Sequence, residues 1–254
     1  MNKEELILMN RFSDLSRRAD DQNRPIHTDF LNLYEQTIFS TFLAKNPSIQ
    51  YKIEGGYEMA ERKIVCFLPM WAKEYDVREF IQCVKIEFLA PKFAKTCTHR
   101  DYLGSIMSLG LDRQKFGDLL VDNDNGTAYL IGLPTAIQYV KESLTSVKHD
   151  SVKVTDANLE EVTAILKFEK ITGTVSSLRL DSIIGLAFRV SRSKACDAIR
   201  AEKVFVNGKM VSQVDYKVKV GDILSFRGAG KAIFKEYHSK TKKDREAISI
   251  WRYQ

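Results

Sequence analysis

Apolar residues early in the chain fall three and four positions apart, the spacing that lines one face of a helix. Leu8, Phe12 and Leu15 predict a first helix, and Phe30, Tyr34, Ile38 and Phe42 a second. Thr28 or Asp29 can cap the second by accepting free N–H groups of its first turn, and Asn46-Pro47 stops it. The period then changes. Segments 51–53 and 63–68 read as strands on either side of Gly55-Gly56, and Pro69 ends the second. The aromatic stripe is expected to fill a core rather than line a ligand site.

From residue 76 the pattern alternates again. Segment 80–89 predicts a strand with Cys83, Lys85 and Glu87 on one side and Val84, Ile86 and Phe88 on the other. A helix over 98–109 ends near Gly110, and 116–121 predicts a strand. Asp122-Asn123-Asp124-Asn125-Gly126 carries the Asn-Gly turn signal, with a returning strand at 129–131. Pro134 opens a helix with Ile137, Val140 and Leu144 on one face, and 151–155 gives a last strand. This β-α-β-β-α-β order is the ferredoxin-like plan, which the RRM shares. The returning strand offers one aromatic, Tyr129, so base stacking on this sheet is not expected.

Segment 158–170 predicts a helix and 168–176 an extended stretch, with the last boundary near Gly173. A Ser at 176 or 177 opens a short helix whose apolar face is Leu180, Ile183, Ile184 and Ala187. Phe188-Arg189-Val190 connects it to a second helix over 192–201, capped by Ser191, with Ala195, Ala198 and Ile199 inward. A hairpin over 204–211 turns at Asn207-Gly208, and 218–226 reads as strand, turn, strand. Arg227-Gly228-Ala229-Gly230-Lys231 follows. The chain is thus α+β: an N-terminal α/β segment (1–75), a ferredoxin-like, RRM-like βαββαβ domain (76–156), a linker (157–172) and a C-terminal module (173–254).

Composition excludes disorder as the default: 44% of residues are apolar and 28% charged. The net charge of +6 matters less than its distribution. Residues 173–254 hold 17 Lys and Arg against 8 Asp and Glu, whereas the rest holds 22 against 25. A basic module on a near-neutral body is the electrostatic footprint of nucleic-acid binding, although a solvated basic surface has the same composition. Cys66, Cys83, Cys97 and Cys196 are scattered, with no paired spacing for zinc, and suit a reducing compartment as buried small hydrophobes. Met1-Asn2-Lys3-Glu4-Glu5 is unlike a secretory leader, and no apolar run reaches the ~18 residues of a membrane span. A cytoplasmic protein without cofactor, metal, membrane contact or small-molecule substrate is expected.

The start of the second C-terminal helix concentrates donors. Free N–H groups and a positive dipole end make a helix start a phosphate site. Ser191, Arg192, Ser193 and Lys194 crowd there, and Lys203, Lys209, Arg227 and Lys231 extend the basic surface. A second candidate patch combines His99 and Arg100 at a helix start with Arg113 and Lys115 before a strand. Helix capping and solvated charge account for that patch at least as well.

Ser191-Arg192-Ser193-Lys194-Ala195, Val204-Phe205-Val206-Asn207-Gly208-Lys209 and Val220-Gly221-Asp222-Ile223-Leu224-Ser225 resemble the S4 domain, an RNA-binding αL-type fold, over most of 176–231. By position, the resemblance implies that Arg179, Arg189, Ser191, Arg192, Ser193, Lys194, Arg200, Asn207, Lys209 and Arg227 meet RNA. Asn207-Gly208 is expected to shape its turn rather than touch RNA. Nearly the whole chain is similar to the YlmH family of bacterial S4-domain proteins, including Asp101-Tyr102-Leu103-Gly104-Ser105, Leu109-Gly110-Leu111-Asp112-Arg113 and Phe116-Gly117-Asp118. That resemblance implies binding of rRNA and tRNA on the large ribosomal subunit, in ribosome quality control; the family's genes neighbour division genes, hence its cell-division label.

S4 domains are often fused to enzymes, so catalysis is the alternative. Arg179-Leu180-Asp181 superficially resembles a pseudouridine-synthase motif, but it opens the S4 helix and no catalytic domain follows it. Gly55-Gly56 and Gly228-Ala229-Gly230 lack the pattern of a nucleotide-binding loop. His27, His99, His149 and His238 are scattered. An RNA-modifying enzyme with an unrecognised site and a division-related scaffold are the remaining readings; the second leaves the basic end unexplained.

Overall fold

In the computed structural model, which describes residues 2–90 and 97–253, Asn2 caps the first helix, α1 (Lys3–Asp21), through a capping box with Glu5. α1 buries Phe12, Leu15 and Ala19. Strand β1 (Ile26–His27) precedes α2 (Leu33–Lys45), and β2 (Tyr51–Glu54) and β3 (Ile64–Phe67) follow in a sheet ordered β1-β3-β2. The second helix starts later than its aromatic stripe predicts. Asn32 and Glu35 form its capping box, whereas the Thr28 hydroxyl accepts from the Val65 N–H at 3.0 Å and belongs to the sheet. Phe30 therefore lies before the helix and enters a different core.

The central sheet contains β4 (Gln82–Phe88), β5 (Phe116–Asp122), β6 (Thr127–Gly132), β7 (Ser146–Val147) and β8 (Asp150–Asp156) in the order β5-β6-β4-β8-β7. Helices α3 (His99–Met107) and α4 (Pro134–Ser143) complete the ferredoxin-like order, with β7 as an added edge. Alternation along β4 sorts the two faces. Val84, Ile86 and Phe88 pack with Tyr102, Ile106, Ile137 and Val140. Cys83 packs on the other face with Tyr129 and Ile131, and there Phe30, Ile64 and Val162 join them.

The segments on either side of the expected border between 75 and 76 share this core. Burying a large apolar side chain stabilises by about 1.5–3 kcal/mol, and Phe30, Ile64 and Ile131 are each fully buried. The first compact unit consequently runs on to Ile165. The expected linker, 157–172, is divided: α5 (Leu159–Ile165) seats Val162 in this core, and the next strand belongs to the second unit.

The second unit begins at Leu166. It comprises β9 (Phe168–Val175), α6 (Leu180–Ala187), α7 (Arg192–Arg200), β10 (Val204–Val206), β11 (Lys209–Met210), β12 (Ile223–Phe226), β13 (Gly230–Lys240) and β14 (Glu246–Tyr253). Its antiparallel sheet runs β11-β10-β12-β13-β14-β9. Leu180, Ile183, Ile184 and Ala187 of α6 pack with Phe234, Ile248 and Ile250, and Ala195 and Ile199 of α7 share that core.

Three expectations change here. Arg179, not a serine, occupies the N-cap of α6. Residues 218–220 form no strand; the Val218 N–H donates to Leu178 O at 2.9 Å and the Lys219 N–H to the Asp222 carboxylate at 2.7 Å. The long β13–β14 hairpin lies beyond the motifs that the sequence pattern revealed. Asn207 and Gly208 are both left-handed, with φ of 49° and 74°, as a tight hairpin turn requires. Among the described residues no helix is long and apolar enough to cross a membrane.

Candidate nucleic-acid interface

Ser191 caps α7 by accepting from the Lys194 N–H at 3.2 Å. The rest of the helix start is organised by Asp181 in the first turn of α6. This carboxylate is 1% exposed and accepts from Arg192 Nε at 2.7 Å, Arg179 Nε at 3.3 Å and the Ser182 N–H at 2.9 Å. Burial alone would raise its pKa. The Arg192 hydrogen bond and the charges of Arg192 and Arg179 outweigh burial and hold the carboxyl below its ordinary range. The same hydrogen bond raises Arg192. Its side chain remains 57% exposed, so Arg192 is anchored at Nε while its guanidinium still reaches solvent.

The other predicted cations divide by role. Lys194, Lys203 and Arg227 line one groove with Asp197, between α7 and the β12–β13 turn. The Arg227 guanidinium lies 4.8 Å from the centre of the Phe205 ring, and its backbone N–H donates to Lys203 O at 2.9 Å. Ser193 is exposed on the first turn of α7, Lys209 on β11, and Lys231 on β13 opposite Ser225. Arg200 pairs with Asp197 at 3.8 Å. Arg189 is left-handed at φ 52° and pairs with Glu169, which also holds Arg252. The Asn207 side chain bridges to Asp222 and the Ile223 N–H, so it shapes the fold.

The second candidate patch is not assembled. Arg113 points inward, donating to the carbonyls of Phe116 at 2.7 Å and Gly117 at 3.0 Å. Burial, with nearby Arg62 adding to it, pushes its pKa down to about 10. Lys115 pairs with Asp29 at 2.7 Å. His99 and Arg100 remain exposed in the first turn of α3. Asp118 accepts from Tyr57 Oη and from the Glu61 and Arg62 N–H groups. Thus Asp118 ties β5 to the segment 57–62, and Arg113 closes the turn that leads into β5.

Sequence reasoning missed Asp181 as an organiser, because its contact with Arg192 depends on how α6 and α7 pack, which residue type and spacing do not reveal. It also missed Glu169, Arg252, and the hairpin cations Lys235, Lys240, Lys242, Lys243 and Arg245. Alternation in Ala247-Ile248-Ser249-Ile250-Trp251 was the available signal for that hairpin.

Comparisons with known proteins agree with this geometry. Residues 76–161 match the family described as "Putative RNA-binding domain in YlmH", and 178–224 match the S4 domain. A Bacillus subtilis (strain 168) protein, "Ribosome-associated protein quality control protein P2", is 31% identical over 98% of this chain and 96% of its own. A solved structure, "Cell division protein ylmH from Streptococcus pneumoniae", superposes with a TM-score of 0.54 at 17% identity, over 63% of this chain and 95% of that one. With S4-type helices carrying an anchored arginine pair, and similarity to a relative over almost its whole length, the chain belongs to the YlmH family of S4-domain proteins.

Proposed function

We propose that this protein binds structured RNA through its S4 domain and acts as a ribosome-associated factor in quality control, meeting rRNA and tRNA on the large subunit. The observation that carries this reading is the Asp181 clamp, which fixes Arg179 and Arg192 at two helix starts with Arg192 facing solvent. Fixed guanidinium groups fork onto phosphate oxygens with less lost freedom than mobile ones. Lys194, Lys203 and Arg227 add charge along the adjoining groove, with Arg189, Ser191, Ser193, Arg200, Lys209 and Lys231 as outlying contacts. The near-full-length likeness to a protein named for ribosome-associated quality control supplies the ribosomal setting. In this reading the protein is a binding factor and not a catalyst.

Sedimentation of the full-length protein with ribosomes through sucrose gradients tests the reading. The wild type is expected in the large-subunit fractions, and Lys194→Glu with Lys203→Glu at the top of the gradient. A wild-type protein that stays at the top even in low salt defeats the proposal. Crosslinking in cells, with sequencing of the attached RNA, checks the partners: large-subunit rRNA with tRNA is expected, and recovery of neither counts against them.

A further inference from the structure

The groove beside α7 has more shape than phosphate binding requires. It is an open cleft of about 440 Å3 between that helix and the β12–β13 turn, within the volume range of small-ligand pockets. Lys194, Asp197, Ala198 and Ala201 are spaced so that they share one helix face. Ala198 and Phe226 are buried and Val190 half-buried, which makes the floor apolar. Lys194, Lys203 and Arg227 are exposed, which places three cations toward solvent. The opposite wall is fixed by the Arg227–Lys203 backbone hydrogen bond and by Arg227 over Phe205.

A smooth cationic surface suffices to follow a sugar–phosphate chain. An apolar floor ringed by cations suits a ligand with a flat, apolar-faced part and an anionic part. Within RNA that ligand is one unstacked nucleotide, because bases in helices keep their faces covered. Asp197 adds a selective element. A carboxylate accepts hydrogen bonds, so it favours a base edge that presents N–H donors. Guanine presents two side by side, at N1 and N2.

We infer that this groove receives a single extruded nucleotide of the bound RNA, preferentially guanosine. Its base rests on the Ala198–Ala201–Phe226 floor, its edge meets Asp197, and its phosphate meets Lys194, Lys203 and Arg227. The inference rests on the RNA-binding reading above and adds the class of nucleotide recognised.

The test measures affinity of the full-length protein for three RNAs: a perfect duplex, the same duplex with one bulged guanosine, and the same duplex with an abasic bulge. The abasic bulge reproduces the backbone flexibility without the base. The bulged guanosine is expected to bind about tenfold tighter than either other RNA, the order of one stacked base. Ala201→Trp fills the floor without changing charge, and should abolish the ratio between bulged-guanosine and duplex affinity while leaving the melting temperature unchanged. If Trp lowers the melting temperature, Ala201→Leu replaces it in the same comparison. A fourth RNA, the duplex with one bulged adenosine, tests the choice of base: the wild type should bind it more weakly than the bulged guanosine, Asp197→Asn should reduce that discrimination, and equal wild-type affinity for the two overturns the guanosine preference. Equal affinity for the three RNAs, or a preference that survives the filled floor, overturns the inference and leaves RNA binding intact. No affinity for any of them overturns the RNA-binding reading as well.

Discussion

Asp181 and Arg192 stand 11 positions apart, yet their side chains meet at 2.7 Å and tie the start of α6 to the start of α7. One partner is buried and the other is mostly in water. A solvent-facing guanidinium on a buried anchor keeps its place without losing access to a ligand. The same contact makes Arg192→Ala an imperfect probe of RNA binding, because the variant strands the carboxylate.

The clamp predicts a pH-dependent loss of stability. The folded state holds the Asp181 carboxyl below its ordinary pKa of 3.8. The clamp's contribution is therefore present above 3.8, where the unfolded carboxyl is charged, and disappears as pH falls through the lower folded value. Asp181→Asn should lower unfolding free energy at neutral pH by about 1–2 kcal/mol, a figure reduced for the exposure of Arg192. Denaturant titrations at pH 7 and pH 3 should show the gap from wild type narrowing in acid. A gap that is constant or widens in acid rejects the clamp as a charged pair.

Salt should separate phosphate contacts from structural cations. Each lost phosphate contact reduces the slope of log affinity against log salt by about 0.7–0.9. Lys194→Ala, Lys203→Ala and Arg227→Ala should each flatten the slope by about that amount. Arg189→Ala, whose guanidinium is engaged by Glu169, should flatten it less. Equal slopes for all four variants would show that the groove is not where phosphate is met.

The order of elements was legible where side chains answer to near neighbours. The ferredoxin-like alternation, the Ser191 cap and the Asn207-Gly208 turn are local signals. Phe30 misled because it keeps a four-residue step with Tyr34 while entering another core; the Asn32–Glu35 capping box marks the true start. Segment 168–175 looked extended, but its partner β14 lies more than seventy residues on, so it read as linker. Along β13, register shifts between Phe234 and Glu236 and between Tyr237 and Ser239 break strict alternation and conceal a long strand. Within the interface, basic residue types were visible and partners were not. Asp181 anchors Arg192 and Glu169 engages Arg189 through tertiary geometry.

Arg113 and Arg100 should behave oppositely, although both were candidates for one patch. Arg113 satisfies two carbonyls inside the first unit, and hydrogen bonds from a charged group contribute about 1.5–3 kcal/mol each. Arg113→Ala should cost about 2–4 kcal/mol of stability. Arg100 is exposed at the start of α3, so Arg100→Ala should stay within about 0.5 kcal/mol of wild type. Neither should alter RNA affinity per folded molecule. Calorimetry and RNA titration decide the point; a stable Arg113→Ala protein with weakened RNA binding would restore the patch.

Glu202 ends α7 at a backbone cost. Its φ is +58°, in the left-handed region where a Cβ is crowded. It holds the C-terminal turn in which its own N–H donates to Ile199 O and the Lys203 N–H to Ala198 O. This is the position where helices favour glycine. Glu202→Gly removes the crowding but enlarges the conformational freedom of the unfolded chain, and the two effects partly cancel. Glu202→Ala keeps the crowding and removes the same charge, which isolates the backbone contribution. The Gly variant should therefore be more stable than the Ala variant by about 1 kcal/mol. Both should keep the nucleotide preference of the groove, since Lys203 is held through its backbone. Thermal melts of the pair read the difference directly, and an Ala variant as stable as the Gly variant would remove the strain from this account of α7.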